Sequence, residues 1–282
     1  MDYSVPSLSI IFMAISALVG ILIPIILFIV IRKKYKADIK PFFVGVAIFI
    51  LFAFIIERFF HSIILTSNIG LIIQKNIWLY GIYGGVMAGL FEETGRFFAF
   101  KTVLKKNLSN DRNALMYGVG HGGVEAFIIL VFSMISNIVI AVMINNNMAE
   151  QLISGVTDEV QLQTIYKTFE TMSQTPSGDF LMAIIERIAA VSIHISLSVL
   201  VWFAVKNGGK FFWLYPLAIL LHAFVNAFSV ILAQYVPSVW IVLVALYLLS
   251  ASFVVIASKV WKKNAVYYTQ DTQYEPVEMT DN

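Results

Sequence analysis

Eight consecutive residues, Phe91-Glu92-Glu93-Thr94-Gly95-Arg96-Phe97-Phe98, place two carboxylates and a guanidinium inside an apolar run over residues 77–104. Glu92 and Arg96 are four residues apart and share a helix face, whereas Glu93 points about 100° away. Arg96 can fix a carboxylate through charge-assisted hydrogen bonds. Two carboxylates beside a cation in low dielectric can set up a general base. Two more apolar runs carry polar pairs at the same four-residue spacing. One is His121 with Glu125, in Gly120-His121-Gly122-Gly123-Val124-Glu125; the other is His222 with Asn226, in His222-Ala223-Phe224-Val225-Asn226. Each pair aims two side chains into one volume. The chemistry available is hydrolysis of a peptide bond: Glu92 and His121 activate a water, while His222 and Asn226 donate hydrogen bonds to the oxyanion.

The elements that must position these groups are membrane helices. Of the 282 residues 59% are hydrophobic and 13% charged, against roughly 45–50% and about 25% in a soluble domain. With about 20 apolar residues per span, the chain reads as an all-α polytopic transmembrane bundle of about seven spans. They are expected near residues 8–31, 41–65, 77–100, 114–144, 180–205, 211–233 and 238–260. The first is too long, and lacks the preceding positive region, for a cleaved signal peptide. Residues 1–264 are expected to form one transmembrane domain. Its sizeable extramembrane loop lies at 145–179, where 158–172 could form an amphipathic helix, and a polar cytoplasmic tail covers 265–282. The absence of cysteine excludes disulfides, thiol catalysis and thiolate metal ligation.

Lysine and arginine set the orientation. Fourteen of them fall in alternate loops: Arg32, Lys33, Lys34, Lys36 and Lys40; Lys101, Lys105, Lys106 and Arg112; Lys206 and Lys210; Lys259, Lys262 and Lys263. Only Lys75 and Lys167 fall on the other side. This places the N-terminus outside and the C-terminus in the cytoplasm. The basic residues are topological flanks, so nucleic acid is excluded as a partner.

Helical rise converts sequence position to depth. Measured from the basic loops, Glu92 and His121 lie at roughly 13 Å, and His194 and His222 at roughly 18 Å. Glu125 and Asn226 sit one turn beyond His121 and His222. Taken singly, a Glu–Arg pair, a histidine in a span and a Gly-Gly step each have a structural reading. Their coincidence at one depth in three spans argues for a site. Glu57, Arg58, His61, Glu186 and Arg187 come out roughly 25–31 Å deep, and read as ion pairs across the second and fifth spans or as interfacial groups.

At these residues the chain resembles the YhfC family of bacterial intramembrane proteases, and in pattern the PrsW proteases and, more distantly, the CAAX prenyl endopeptidase group. The resemblance runs from the third span to the sixth. It rests on Glu92-Glu93-Thr94-Gly95-Arg96, the His121/Glu125 motif and the His222/Asn226 motif. It implies that Glu92 is the water-activating base, assisted by His121, with His222 and Asn226 on the oxyanion and Arg96 orienting the glutamates. Two residues separate the glutamate pair from Arg96, as in PrsW-like proteins rather than the CAAX group, which leaves the base between Glu92 and Glu93. Glu125 matches a PrsW-like glutamate and can share the role of His121.

The implied activity is that of an intramembrane endopeptidase acting on a membrane-embedded or lipid-anchored protein or peptide, with access from the lipid or the cytoplasm. His121, His194 and His222 with a glutamate would satisfy zinc. The His-Glu-x-x-His motif is missing, so a metal-free glutamate mechanism is the expectation and zinc the alternative. Two other functions fit the same groups: a proton- or ion-coupled transporter using them as a relay, and a non-catalytic immunity or regulatory protein of the membrane.

Overall fold

The computed structural model describes residues 3–265; the expected tail lies, from residue 266 on, outside the described residues. Ten helices follow in order: α1 Ser7–Tyr35, α2 Lys40–Leu65, α3 Asn68–Lys75, α4 Ile77–Lys101, α5 Arg112–Asn145, α6 Ala149–Ile153, α7 Glu159–Gln174, α8 Asp179–Asn207, α9 Leu214–Tyr235 and α10 Val239–Asn264. Local chemistry sets several boundaries. Lys36 ends α1 in the left-handed region, after a last turn carrying Arg32, Lys33 and Lys34. The Asn76 side chain caps α4 by accepting from Trp78 N and Leu79 N, and Asp158 caps α7 by accepting from Gln161 N at 2.8 Å. Such caps satisfy N–H groups that the first turn leaves free.

Six helices (α1, α2, α5, α8, α9 and α10) are long and apolar enough to cross a membrane. The remaining long helix, α4, has 25 residues and carries Glu92, Glu93 and Arg96 in its interior. The basic loops meet at one end of the bundle. There Asn113 donates to Asp38 at 2.7 Å, Lys206 and Trp202 donate to Asp111 at 2.6 and 2.9 Å, and Lys40 donates to Val103 O at 3.0 Å. Under them lies a buried aromatic core, with Phe100 packed edge-on against Tyr117 and Trp202 at 4.6 and 5.0 Å. The segment at 145–179 is largely helical. Phe169 and Met172 of α7 are buried with Val5 and Met13, and Asn145 exchanges hydrogen bonds with the Val5 backbone at 2.8 Å.

Helix α8 lies at the centre, its second half buried all round from His194 to Ala204 except for Ile195. It packs on α5 and α10, while α9 packs along α4. Close approach is needed wherever the polar groups meet. Glycines at 81, 85 and 89 form a four-residue stripe on α4, and a Cβ on Gly85 would stand 2.2 Å from Ala223 O of α9. On α5, a Cβ at Gly120 would meet Phe42 O at 2.1 Å and one at Gly122 would meet the His194 Cβ at 2.9 Å. Small residues therefore let three helices close around His121.

Two spans are interrupted by π-helical turns, Ile50–Glu57 in α2 and Ile128–Phe132 in α5. Wider turns of this kind re-aim the side chains that follow and recur at functional sites. The first half of α2 packs along α5, and its π segment packs against α4.

The stripe on α4 gives a paired test. Gly85→Ala is expected to destabilise the bundle by about 1–3 kcal/mol through overpacking. Gly84→Ala, where no atom lies within 4 Å of the added Cβ, is expected to leave the melting temperature in detergent unchanged or slightly higher.

Candidate active site

Helix α4 brings its charges to a point where α5, α8 and α9 also converge. Glu93 and Arg96 are fully buried and paired one turn apart, Arg96 Nη1 donating to Glu93 Oε2. The sequence spacing suggests Glu92 as the same-face partner of Arg96. The i,i+3 position is also a neighbour on a helix, and Arg96 takes Glu93. The other Glu93 oxygen meets His222 Nδ1 at 2.8 Å, and Arg96 Nη2 lies 3.3 Å from His194 Nδ1. One salt-bridged pair on α4 thus ties down a histidine from α9 and another from α8.

Glu92 points to a different volume. Its Oε2 takes a 2.8 Å hydrogen bond from His121 Nε2 of α5 and lies 3.9 Å from His194 Nδ1. The rings of His121 and His194 are 5.1 Å apart, and those of His194 and His222 5.3 Å apart. Glu125, a turn along from His121, accepts from Arg187 Nη1 at 2.7 Å, and its Oε2 lies against His194 Nε2. Arg187 also pairs with its neighbour Glu186.

These groups border a cavity of about 340 Å³. Glu92, Glu125, His194, His222 and Asn226 line it. Glu93, Arg96 and His121 stand behind that wall, each without solvent exposure. From the cluster the cavity runs toward the end of the bundle opposite the basic loops. It passes Gly84 and Gly85 on α4, Ser229 and Val230 on α9, and Glu186 and Arg187 on α8.

The donor set fits a metal ion. Ligand atoms of Glu92, His194 and His222 lie within 4.8 Å of one another, and all three residues are buried. Their types are those zinc takes in catalytic sites. Glu93 is held by Arg96 and accepts only, so His222 presents Nδ1–H to it; the neutral ring then keeps a lone pair on Nε2. A carboxylate behind a histidine is the outer-shell arrangement of histidine metal ligands. Of the three histidines expected as ligands, His194 and His222 belong to the cluster. His121 instead serves Glu92, and its Nδ1 has no hydrogen-bond partner. The His-Glu-x-x-His motif records donors on a single helix. The donors here come from three helices, which no such motif records.

From the sequence, Arg187, Glu186 and Glu57 read as ion pairs across α2 and α8 or as interfacial groups. In the structure Arg187 pairs with Glu125 and Glu186, Glu57 pairs with His61, and Glu57, Glu186 and Arg187 all border the cavity. The available signal was spacing: Arg187 and His194 are two helical turns apart and share a face of α8.

Fold and site together define a multi-pass membrane protein with a carboxylate–imidazole cluster set into a cavity of its helical interior. A model of the YhfC intramembrane metalloprotease family matches residues 19–248, and the chain belongs to that family. It is 36% identical over 260 residues to the uncharacterized membrane protein YhfC of Bacillus subtilis (strain 168), an alignment covering 90% of this chain and 98% of the relative. No solved structure matches it.

Removing Arg96 would leave Glu93 buried without its cation. Arg96→Met is therefore expected to cost about 3–5 kcal/mol, seen as a large fall in melting temperature or loss of the monodisperse species in detergent. Glu93→Gln combined with Arg96→Met is expected to be less destabilising than Arg96→Met alone, because it removes the orphaned charge.

Proposed function

We propose that this protein is a metal-dependent intramembrane endopeptidase that cuts a membrane-embedded or membrane-anchored protein or peptide within the bilayer. The observation that carries the reading is the convergence of Glu92, His194 and His222 on one cavity, in a chain of a family described as intramembrane metalloproteases. Those three residues would hold the ion. A zinc bound there supplies Lewis-acid polarisation and eases ionisation of water.

The remaining roles belong to the chain's own side chains. Arg96 fixes Glu93, and Glu93 holds His222 with Nε2 facing the cluster. His121 Nε2–H orients Glu92. Arg187 grips one oxygen of Glu125, and the other, against His194 Nε2, is the one used on the cavity wall. There it accepts a proton from the attacking water as the oxygen bonds to the scissile carbonyl carbon. It returns that proton to the amine nitrogen as the C–N bond breaks. Asn226, one turn from His222 on the same wall, donates its amide N–H to the developing oxyanion.

With the basic loops cytoplasmic, the cavity opens toward the extracytoplasmic half of the membrane. Substrate entry from that half, by way of the lipid, keeps the lipid route of the two expected from the sequence.

The test is cleavage of membrane-anchored reporter peptides by purified protein in liposomes. Wild type is expected to cleave, to lose activity on chelation and to regain it with zinc. Glu92→Gln and His222→Ala are expected to be inactive. Glu125→Gln should lower kcat by about 10²–10⁴-fold with a small change in KM. Cleavage indifferent to chelation but lost in Glu92→Gln would return the mechanism to a metal-free glutamate base. Cleavage unchanged in all three variants would contradict the site.

A further inference from the structure

Glu57 borders the same cavity, and the mechanism above makes no use of it. It ends the π-helical segment of α2 and is 7% exposed. The Tyr83 hydroxyl lies 2.8 Å from His61 Nδ1, and His61 Nε2 lies 3.1 Å from Glu57 Oε1. With Tyr83 donating to Nδ1, His61 carries its proton on Nε2 and donates to Glu57. This relay holds the carboxyl in place through one oxygen. The second oxygen, Oε2, has no hydrogen bond or ion pair within the described residues.

Among the described residues no lysine or arginine pairs with it. Arg58, the next residue, is exposed and lies over the Phe54 ring at 4.3 Å. Arg187, the cation on the cavity wall, is engaged by Glu125 and Glu186. Every other carboxyl lining the cavity has a partner there: Glu125 and Glu186 have Arg187, and Glu92 has His121. A carboxylate buried in a membrane bundle is costly without a cation. Here His61 holds Glu57 through one oxygen, and the residue lines a substrate-sized space.

We propose that Glu57 Oε2 is a recognition subsite for a primary ammonium group of the substrate, bound in the cavity that holds the Glu92–His194–His222 cluster. Only one oxygen is free. That suits the point donor of an ammonium better than the two-pronged fork of a guanidinium. The ammonium comes from a lysine side chain or from a free peptide α-amine. The proposal rests on the endopeptidase reading in taking the ligand to be a peptide. It is tested by binding, so that its failure and a failure of turnover are recorded separately.

Three probes would be titrated against the purified full-length protein in one detergent: Nα-octanoyl-lysine amide, Nα-octanoyl-norleucine amide, and norleucine octylamide, which carries a free α-amine. Wild type would be compared with Glu57→Gln and Glu57→Asp. A charge-assisted hydrogen bond predicts that Glu57→Gln weakens an ammonium probe by about tenfold or more. The octanoyl-norleucine probe should be unaffected, and Glu57→Asp should keep part of the discrimination. A loss confined to the lysine probe supports the proposal with a side chain as source. A loss confined to the α-amine probe supports it with a chain terminus as source. Equal binding of all probes by wild type and Glu57→Gln overturns it. So does an equal loss of all probes in both variants, which would make Glu57 structural.

Discussion

A buried guanidinium shared between a carboxylate and an imidazole is the interaction on which the rest of this structure depends. Arg96 pairs with Glu93 and reaches His194, and Glu93 in turn holds His222. These contacts fix α4, α8 and α9 relative to one another at the depth where the cavity begins. Charges within a bilayer are tolerated when they pair inside the bundle, and this pair is fully enclosed. Its neighbours follow from it. The glycine stripe on α4 exists because α9 must come close enough for His222 to touch Glu93. Phe100, Tyr117 and Trp202 form a buried aromatic core beside Arg96, toward the basic end of the bundle.

The two sides of this pair are built differently. Toward the basic loops, large side chains fill the space around Arg96. Toward the other end the helices leave a cavity whose wall carries Glu92, Glu125, His194, His222 and Asn226. The π-helical turns fall in the two spans that flank this region, α2 and α5. The first ends at Glu57. The second begins three residues after Glu125. Re-aimed side chains and an interrupted packing face are what an opening between helices requires, and regular α-helix supplies neither.

Much of this was legible in the sequence, for reasons that can be named. Apolar runs bounded by lysine and arginine gave the long helices, because membrane length fixes run length. Depth counted from the loops brought Glu92, His121, His194 and His222 to one layer, since α-helical rise is constant. Partner choice was not legible. A helix wheel offers Arg96 both Glu92 and Glu93, and the decision falls to α9, which delivers His222 to Glu93. Glu57, Glu186 and Arg187 were set apart by the same depth count, which treats each residue as a point on its backbone. The length of the arginine side chain carries Arg187 across to Glu125. Nor does hydrophobic periodicity reveal a π turn within an all-apolar run such as Ile50–Glu57. The Glu92–His194–His222 cluster is hidden in another way: its side chains sit on three helices, each of which shows one of them.

The most direct measurement is X-ray absorption at the metal edge of purified protein loaded with zinc. One bound ion per chain is expected, coordinated by nitrogen and oxygen with two imidazoles among the ligands. His194→Ala and His222→Ala should each reduce the imidazole count or abolish binding, and His61→Ala should leave the spectrum unchanged. Failure of the folded protein to retain zinc, or a set of ligands unaltered by both His194→Ala and His222→Ala, would contradict the assignment of Glu92, His194 and His222 as the centre of this site.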